Sequence, residues 1–329
     1  MIPNVKILAT GGTIAGSAKS STEMTGYKAG TVGVEALIEA VPSLTQYANV
    51  TGEQVTNIGS HDMADTDLLH LAKRCNELLA CTDVHGIVIT HGTNTLEETA
   101  YFLNLTIKSK KPVVIVGAMR PATAISADGP LNLLNAVRLA ASKQAVGKGV
   151  LIALNDQINA ARETTKTNTS NVSTFHALDL GALGYIIDGE IAFYRTSTRK
   201  HTYRTEFDTS NLTTLPQVEI IYSHINQTSI FIDAAVQAGA KGIVLAGTGL
   251  GSINRNTAPS LIAAQQNGIV IVRGSRIYSG IVPPNVKWTN KHHFVSADNL
   301  NPQKARILLA LALTKTNNYQ KVQTMFDTY

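Results

Sequence analysis

The chain has 329 residues, a length that suggests about two domains or one large one, and 44% of them are apolar, enough for a sizeable core. Only 16% are charged, against about 25% in an average soluble domain, so disorder and coiled coil are excluded. Lysine and arginine outnumber the acids 28 to 23, but the resulting +5 is diffuse and aromatics are only 5%, so no nucleic-acid-binding stripe is expected.

Short apolar runs alternate with helical patterns from the start. Val5–Ala9 reads as a buried strand ending in Thr10-Gly11-Gly12-Thr13-Ile14-Ala15-Gly16. Open α/β sheets bind ligands beyond the carboxyl ends of their strands, and the paired glycines would expose the Thr13 hydroxyl there. A plain tight turn explains the same residues. A helix is expected over Asp65–Leu79, with Cys75 and Cys81 in that region six residues apart. That spacing faces them apart, so both are expected as free thiols.

Gly86–Thr90 is a further strand, running into His91-Gly92-Thr93-Asn94-Thr95-Leu96-Glu97-Glu98-Thr99. Thr95 and Glu98 have capping-box spacing for a helix over Leu96–Lys108. The amides at that helix start favour an anion, and His91 is expected to be structural. Pro112–Val116 leads into Gly117-Ala118-Met119-Arg120-Pro121, and Gly149–Leu154 is another strand. Lys166 follows within a Thr/Asn-rich segment. On the surface it would be decoration; folded beside Thr93 its pKa would fall and it could act as a base.

Strand, helix, strand at this spacing means βαβ units and parallel sheets. Periodicity breaks over Arg195–Pro216, a Thr/Ser/Arg/Asn-rich linker. It resumes with strands at Val218–Tyr222, Gly242–Ala246 and Gly268–Val272, and helices at Ile230–Ala238 and Ala258–Gln266. The last helix is expected over Pro302–Leu313, opened by a first-turn proline. The fold class is therefore two α/β domains. A larger N-terminal one (1–194) has a mostly parallel sheet flanked by helices; a linker (195–216) leads to a smaller parallel-sheet domain (217–329).

Gly247-Thr248-Gly249-Leu250-Gly251 is a poor dinucleotide loop, because its third glycine comes one residue early and Asn267 stands where an acid belongs. Adjacent His292 and His293 do not easily chelate one metal, so neither metal nor cofactor is expected. No apolar run reaches the ~18 residues of a membrane span. A strand close behind Met1 leaves no room for a signal peptide in this sequence.

Taken in order, these motifs resemble the bacterial type II L-asparaginases of the asparaginase/glutaminase family. The resemblance runs through Ala9–Gly16, a lid-like Ser17–Gly30 segment with Tyr27, and Gly59-Ser60. It continues through His91–Thr99, Gly117–Pro121, Ser126–Pro130, Thr165–Asn168 and Asn301–Arg306. It implies a cofactor-free, metal-free amidohydrolase working through a threonine acyl-enzyme on a small amide bearing a carboxylate. It also implies a homotetramer in which the C-terminal domain completes the neighbouring subunit's site. Thr13 would be the nucleophile with Tyr27 beside it, and Thr93 and Lys166 the proton-handling pair. Ser60 would hold the substrate carboxylate and the Ala118 carbonyl would accept from the leaving amide. The family favours a periplasmic location; a native start at Met1 would favour the cytoplasm.

The resemblance weakens on the substrate side. Asn94 stands where the family has aspartate, His61 where it has glutamine, and Leu250 where it has asparagine. Pro283-Pro284-Asn285-Val286-Lys287 holds no glutamate where the family supplies one in trans. These family groups surround a substrate α-ammonium, and an ammonium removed from water without counter-charge costs several kcal/mol. The expectation is weak or altered activity on free asparagine. A non-catalytic small-acid binding protein on the same scaffold is the alternative.

Overall fold

A computed structural model describes residues 2–17, 20–22, 30, 33–284 and 291–329. The chain divides into two compact units, one through Asn211 and one from Leu212.

The first unit is built on an eight-stranded sheet. Its strands are β1 (Asn4–Gly11), β2 (Asn49–Ile58), β3 (Gly86–Thr90), β4 (Val113–Val116), β5 (Val150–Leu154), β6 (Gln157–Ala160), β9 (Gly184–Ile187) and β10 (Glu190–Phe193). Their order across the sheet is β10-β9-β6-β5-β4-β3-β1-β2. The half from β2 to β5 is parallel, and β6, β9 and β10 continue it antiparallel. A separate hairpin pairs β7 (Thr165–Lys166) with β8 (Phe175–His176).

The helices of this unit are α1 (Val34–Glu39), α2 (Asp65–Ala80), α3 (Leu96–Thr106) and α4 (Gly129–Ala141). Val5, Ile7, Ala9, Val88, Val114 and Val116 share one core cluster with α1 and α4 residues such as Leu37, Leu133 and Val137. Leu8, Ile87, Ile89 and Ile115 are equally buried. A parallel sheet covered on both faces needs continuous apolar runs, and that is why these strands do not alternate. Every residue of helix α3 except Glu98 is buried, with Tyr101, Phe102, Leu103 and Leu105 fully enclosed.

Cys75 is buried in α2 and Cys81 is exposed just beyond it, both as free thiols. The Thr/Ser-rich stretch after Tyr194 lacks strands, yet it packs: Phe207 and His201 are buried, and Lys108 Nζ donates to the Thr205 carbonyl at 2.9 Å.

The second unit holds a parallel sheet of order β11-β12-β13-β14, from β11 (Val218–Tyr222), β12 (Gly242–Gly247), β13 (Val270–Ser275) and β14 (Val295–Ser296). Its helices are α5 (Ile230–Gln237), α6 (Ala258–Gln266), α7 (Pro302–Leu313) and α8 (Tyr319–Thr328). The sequence reading ended the helices at Leu313, and α8 corrects it. The Asn318 side chain accepts from the Lys321 amide, and α8 buries Val322, Met325 and Phe326. No helix among the described residues is long and apolar enough to cross a membrane.

Candidate active site

Two glycines bring three strand ends closer than side chains would permit. Gly12 has φ +83°, and a Cβ on it would lie 2.3 Å from Gly92 Cα. A Cβ on Gly92 would in turn lie 2.6 Å from Ser60 Oγ. Only glycine tolerates both the conformation and the approach. The loops after β1, β2 and β3 are thereby stacked, and Thr13 and Thr93 each directly follow a glycine of the touching pair. The loop after β4 joins them, since a Cβ on Gly117 would meet Thr93 Cγ2 at 3.0 Å. Thr13, Ser60, Thr93 and Ala118 are all buried.

The β7–β8 hairpin adds the charged group. Lys166 Nζ donates to Thr93 Oγ1 at 2.9 Å and to Asn94 Oδ1 at 3.3 Å. Burial holds the Lys166 ammonium below its ordinary pKa, opposed by the charge of Glu97. Glu97, buried in the first turn of α3, accepts from Thr165 Oγ1 at 2.9 Å and from the Lys166 amide at 3.3 Å. The hairpin strand that carries Lys166 is thus fastened to the helix that begins just beyond Thr93. Sequence reasoning passed over Glu97; its signal was an acid at a helix start amid apolar neighbours.

His91 is structural, as expected. Its Nδ1 lies 2.7 Å from the Gly92 carbonyl and its Nε2 lies 2.9 Å from Thr99 Oγ1. Complete burial pushes its pKa down to about 4, so the ring is neutral near pH 7. The expected capping box at Thr95 and Glu98 is not formed by the Thr95 side chain. The Thr95 hydroxyl instead donates to the Ser60 carbonyl at 2.7 Å, tying the Ser60 turn to the start of α3.

A second clamp, also passed over in the sequence, holds the Ala118 loop. Asp128 accepts from the Met119 amide at 2.9 Å and the Arg120 amide at 3.0 Å, and Asn132 Nδ2 donates to the Gly117 carbonyl at 3.1 Å. These bonds fix where the neighbouring Ala118 carbonyl sits.

Of the residues expected to face substrate, Asn94 is exposed next to Thr93. His61 follows Ser60 and is 65% exposed, with Nε2 3.4 Å from Asp62 Oδ2. Tyr27 and Asn285–Lys287 lie outside the described residues. Leu250, in the second unit, is 65% exposed on a loop after β12.

Residues 4–199 match the family model described as Asparaginase, N-terminal, and residues 217–326 match the Glutaminase/Asparaginase C-terminal domain. The chain is 56% identical to L-asparaginase 2 of Bacillus subtilis (strain 168), over 100% of this chain and 87% of that protein. It is 50% identical to L-asparaginase 2 of Escherichia coli (strain K12), over 100% of this chain and 94% of that protein. A crystal structure of a probable cytoplasmic L-asparaginase from Campylobacter jejuni, 50% identical, superimposes with a TM-score of 0.97 over 99% of this chain and 100% of that one. Both halves of the sequence match in their proper order and the similarity runs from end to end: the chain belongs to the asparaginase/glutaminase family.

Proposed function

We propose that the protein hydrolyses the side-chain amide of a small substrate bearing a carboxylate, through an acyl-enzyme on Thr13. The observation that carries this reading is the half-buried Lys166 ammonium, 2.9 Å from Thr93 Oγ1 and below its ordinary pKa. A hydroxyl is a weak nucleophile until a base takes its proton, and a partly neutral lysine at the stacked strand ends meets that need.

The Thr13 oxygen attacks the amide carbon while its proton passes to the Thr93–Lys166 pair. The tetrahedral adduct collapses when that proton reaches the departing nitrogen, releasing ammonia and leaving an ester on Thr13. Water then adds to the ester, and its breakdown returns Thr13 and frees the acid. Ser60 holds the substrate carboxylate, and the Ala118 carbonyl accepts from the leaving amide nitrogen. Tyr27 assists Thr13. The C-terminal unit completes the neighbouring subunit's site in a homotetramer.

We assign Asn94 and His61 to substrate recognition. In place of a carboxylate and a glutamine they leave an α-ammonium without a described counter-charge at the Asn94 mouth. The preferred amide is therefore one whose α-ammonium is absent or masked, and free asparagine is bound weakly. Acid quenching during turnover, followed by peptide mass spectrometry, tests the acyl-enzyme. The expected product is an ester on the peptide containing Thr13, absent from Thr13→Ala. An unmodified peptide together with full activity of Thr13→Ala would reject it.

A further inference from the structure

The peptide that would receive the leaving amide is held from behind. The Ala118 carbonyl and the Met119 N–H belong to one planar trans unit and point in opposite directions. That N–H donates to the Asp128 carboxylate, at 2.9 Å to Oδ2 and 3.2 Å to Oδ1. Fixing it therefore fixes the direction of the carbonyl at the other end of the same unit. The preceding unit is fixed likewise, because Asn132 Nδ2 donates to the Gly117 carbonyl at 3.1 Å and so sets the Ala118 N–H. Asn132 Nδ2 also donates to Asp128 Oδ2 at 3.1 Å, and its Oδ1 accepts from the Asn155 amide at 3.0 Å. Asn132 is buried, and ties the loop after β4 to the turn after β5.

Asp128 gives up an ordinary role to make these contacts. It stands immediately before α4, where an aspartate side chain commonly accepts from the first amides of the helix, and here it makes no such bond. Its backbone is already helical, at φ −86° and ψ −15°, whereas a capping residue is typically extended. The carboxylate turns back to the loop after β4 instead, where the Arg120 N–H joins at 3.0 Å. The start of α4 also lies close to both sides of the reacting site. A Cβ on Gly129 would be 3.2 Å from Ile14 Cγ1 and 3.5 Å from Ala118 Cβ. A carboxylate on a peptide N–H polarises the unit, and chained hydrogen bonds strengthen one another, so the Ala118 carbonyl becomes a better acceptor.

We propose that Asp128, braced by Asn132, is a positioning residue that suits the site to amide rather than ester leaving groups. The assignment rests on the hydrolase reading above, in which the Ala118 carbonyl accepts from the departing nitrogen. As the C–N bond breaks, that nitrogen takes up a proton and gains positive charge, which an aimed and polarised carbonyl stabilises. An ester oxygen carries no hydrogen, and the single proton it receives comes from the Thr93–Lys166 pair. The competing role for Asp128 is to hold the shape of the loop, which would affect both leaving groups alike.

Kinetics with succinamate and with monomethyl succinate separate these roles, because both give the same acid through the same ester on Thr13. Asp128→Asn keeps the size of the side chain and removes its charge. It should lower kcat/KM for succinamate at least about tenfold, chiefly in kcat, and change that for monomethyl succinate less than about threefold. Asn132→Ala, which loses the donation to the Gly117 carbonyl, should move the ratio in the same direction and keeps the test open if Asp128→Asn misfolds. Equal losses on both substrates, or an unchanged ratio, would overturn the assignment. So would a natural chain that hydrolyses the amide but not the intrinsically more reactive ester. A natural chain active on neither substrate would instead overturn the hydrolase reading, and this assignment with it.

Discussion

Lys166 Nζ and Thr93 Oγ1 stand 2.9 Å apart although 73 residues separate them in the chain. The contact exists because a short Thr/Asn-rich hairpin returns its first strand to the start of α3, where Glu97 receives it. Replacing Lys166 with methionine keeps the bulk and removes the base. The expected fall in kcat is about 10²–10⁴-fold, the usual contribution of a general base, with KM changed far less. Lys166→Arg should not rescue it, since a guanidinium stays protonated. Steady-state kinetics on all three proteins checks both statements.

Under the proposed mechanism the neutral form of the same lysine is the base, so kcat/KM should rise with pH through a pKa below the ordinary lysine value. The Glu97 charge raises that pKa. Glu97→Gln keeps an acceptor for the Thr165 hydroxyl and the Lys166 amide but removes the charge, so the acidic limb should move to lower pH. Glu97→Ala loses the fastening as well, and kcat should fall further. A merely structural Glu97 would leave the limb of the glutamine variant where it was.

His91 ties stability to acid. The folded protein holds it at a pKa of about 4, against 6.5 for the free side chain. Between these values the unfolded chain binds the extra proton, so stability is full above pH 6.5 and is lost as pH falls toward 4. The linkage amounts to about 3 kcal/mol. Urea unfolding at pH 7.5 and pH 4.5 should show most of this loss, and His91→Gln should reduce the difference.

Parallel strands and their helices were legible because short apolar runs such as Gly86–Thr90 and Pro112–Val116 alternate with segments of helical periodicity. Thr13, Thr93 and Lys166 could be named from their motifs. What could not be read was how long-range contacts compete for polar groups. Thr95 looked like a cap and is drawn instead to the Ser60 carbonyl. Asp128 was given no role from the sequence, yet it gathers two amides of the Ala118 loop. Helix α8 was passed over although Val322, Met325 and Phe326 recur at helical spacing behind the Asn318 cap.

Asn94→Asp separates the two halves of the site. A carboxylate 3.3 Å from Lys166, where Asn94 Oδ1 now lies, would raise the lysine pKa and shift the acidic limb upward. His61, Leu250 and the Pro283-Pro284 loop would remain as they are, so KM for asparagine should improve less than tenfold. A complete gain of asparagine efficiency from this one change would show that the other departures do not matter.

The proposed function requires a working threonine–lysine site without α-ammonium recognition. The ratio of kcat/KM for succinamate to that for asparagine tests it most directly, because the two amides differ only in the α-amino group. The account predicts that succinamate is hydrolysed at least as efficiently as asparagine. A preference for asparagine of a hundredfold or more would contradict it.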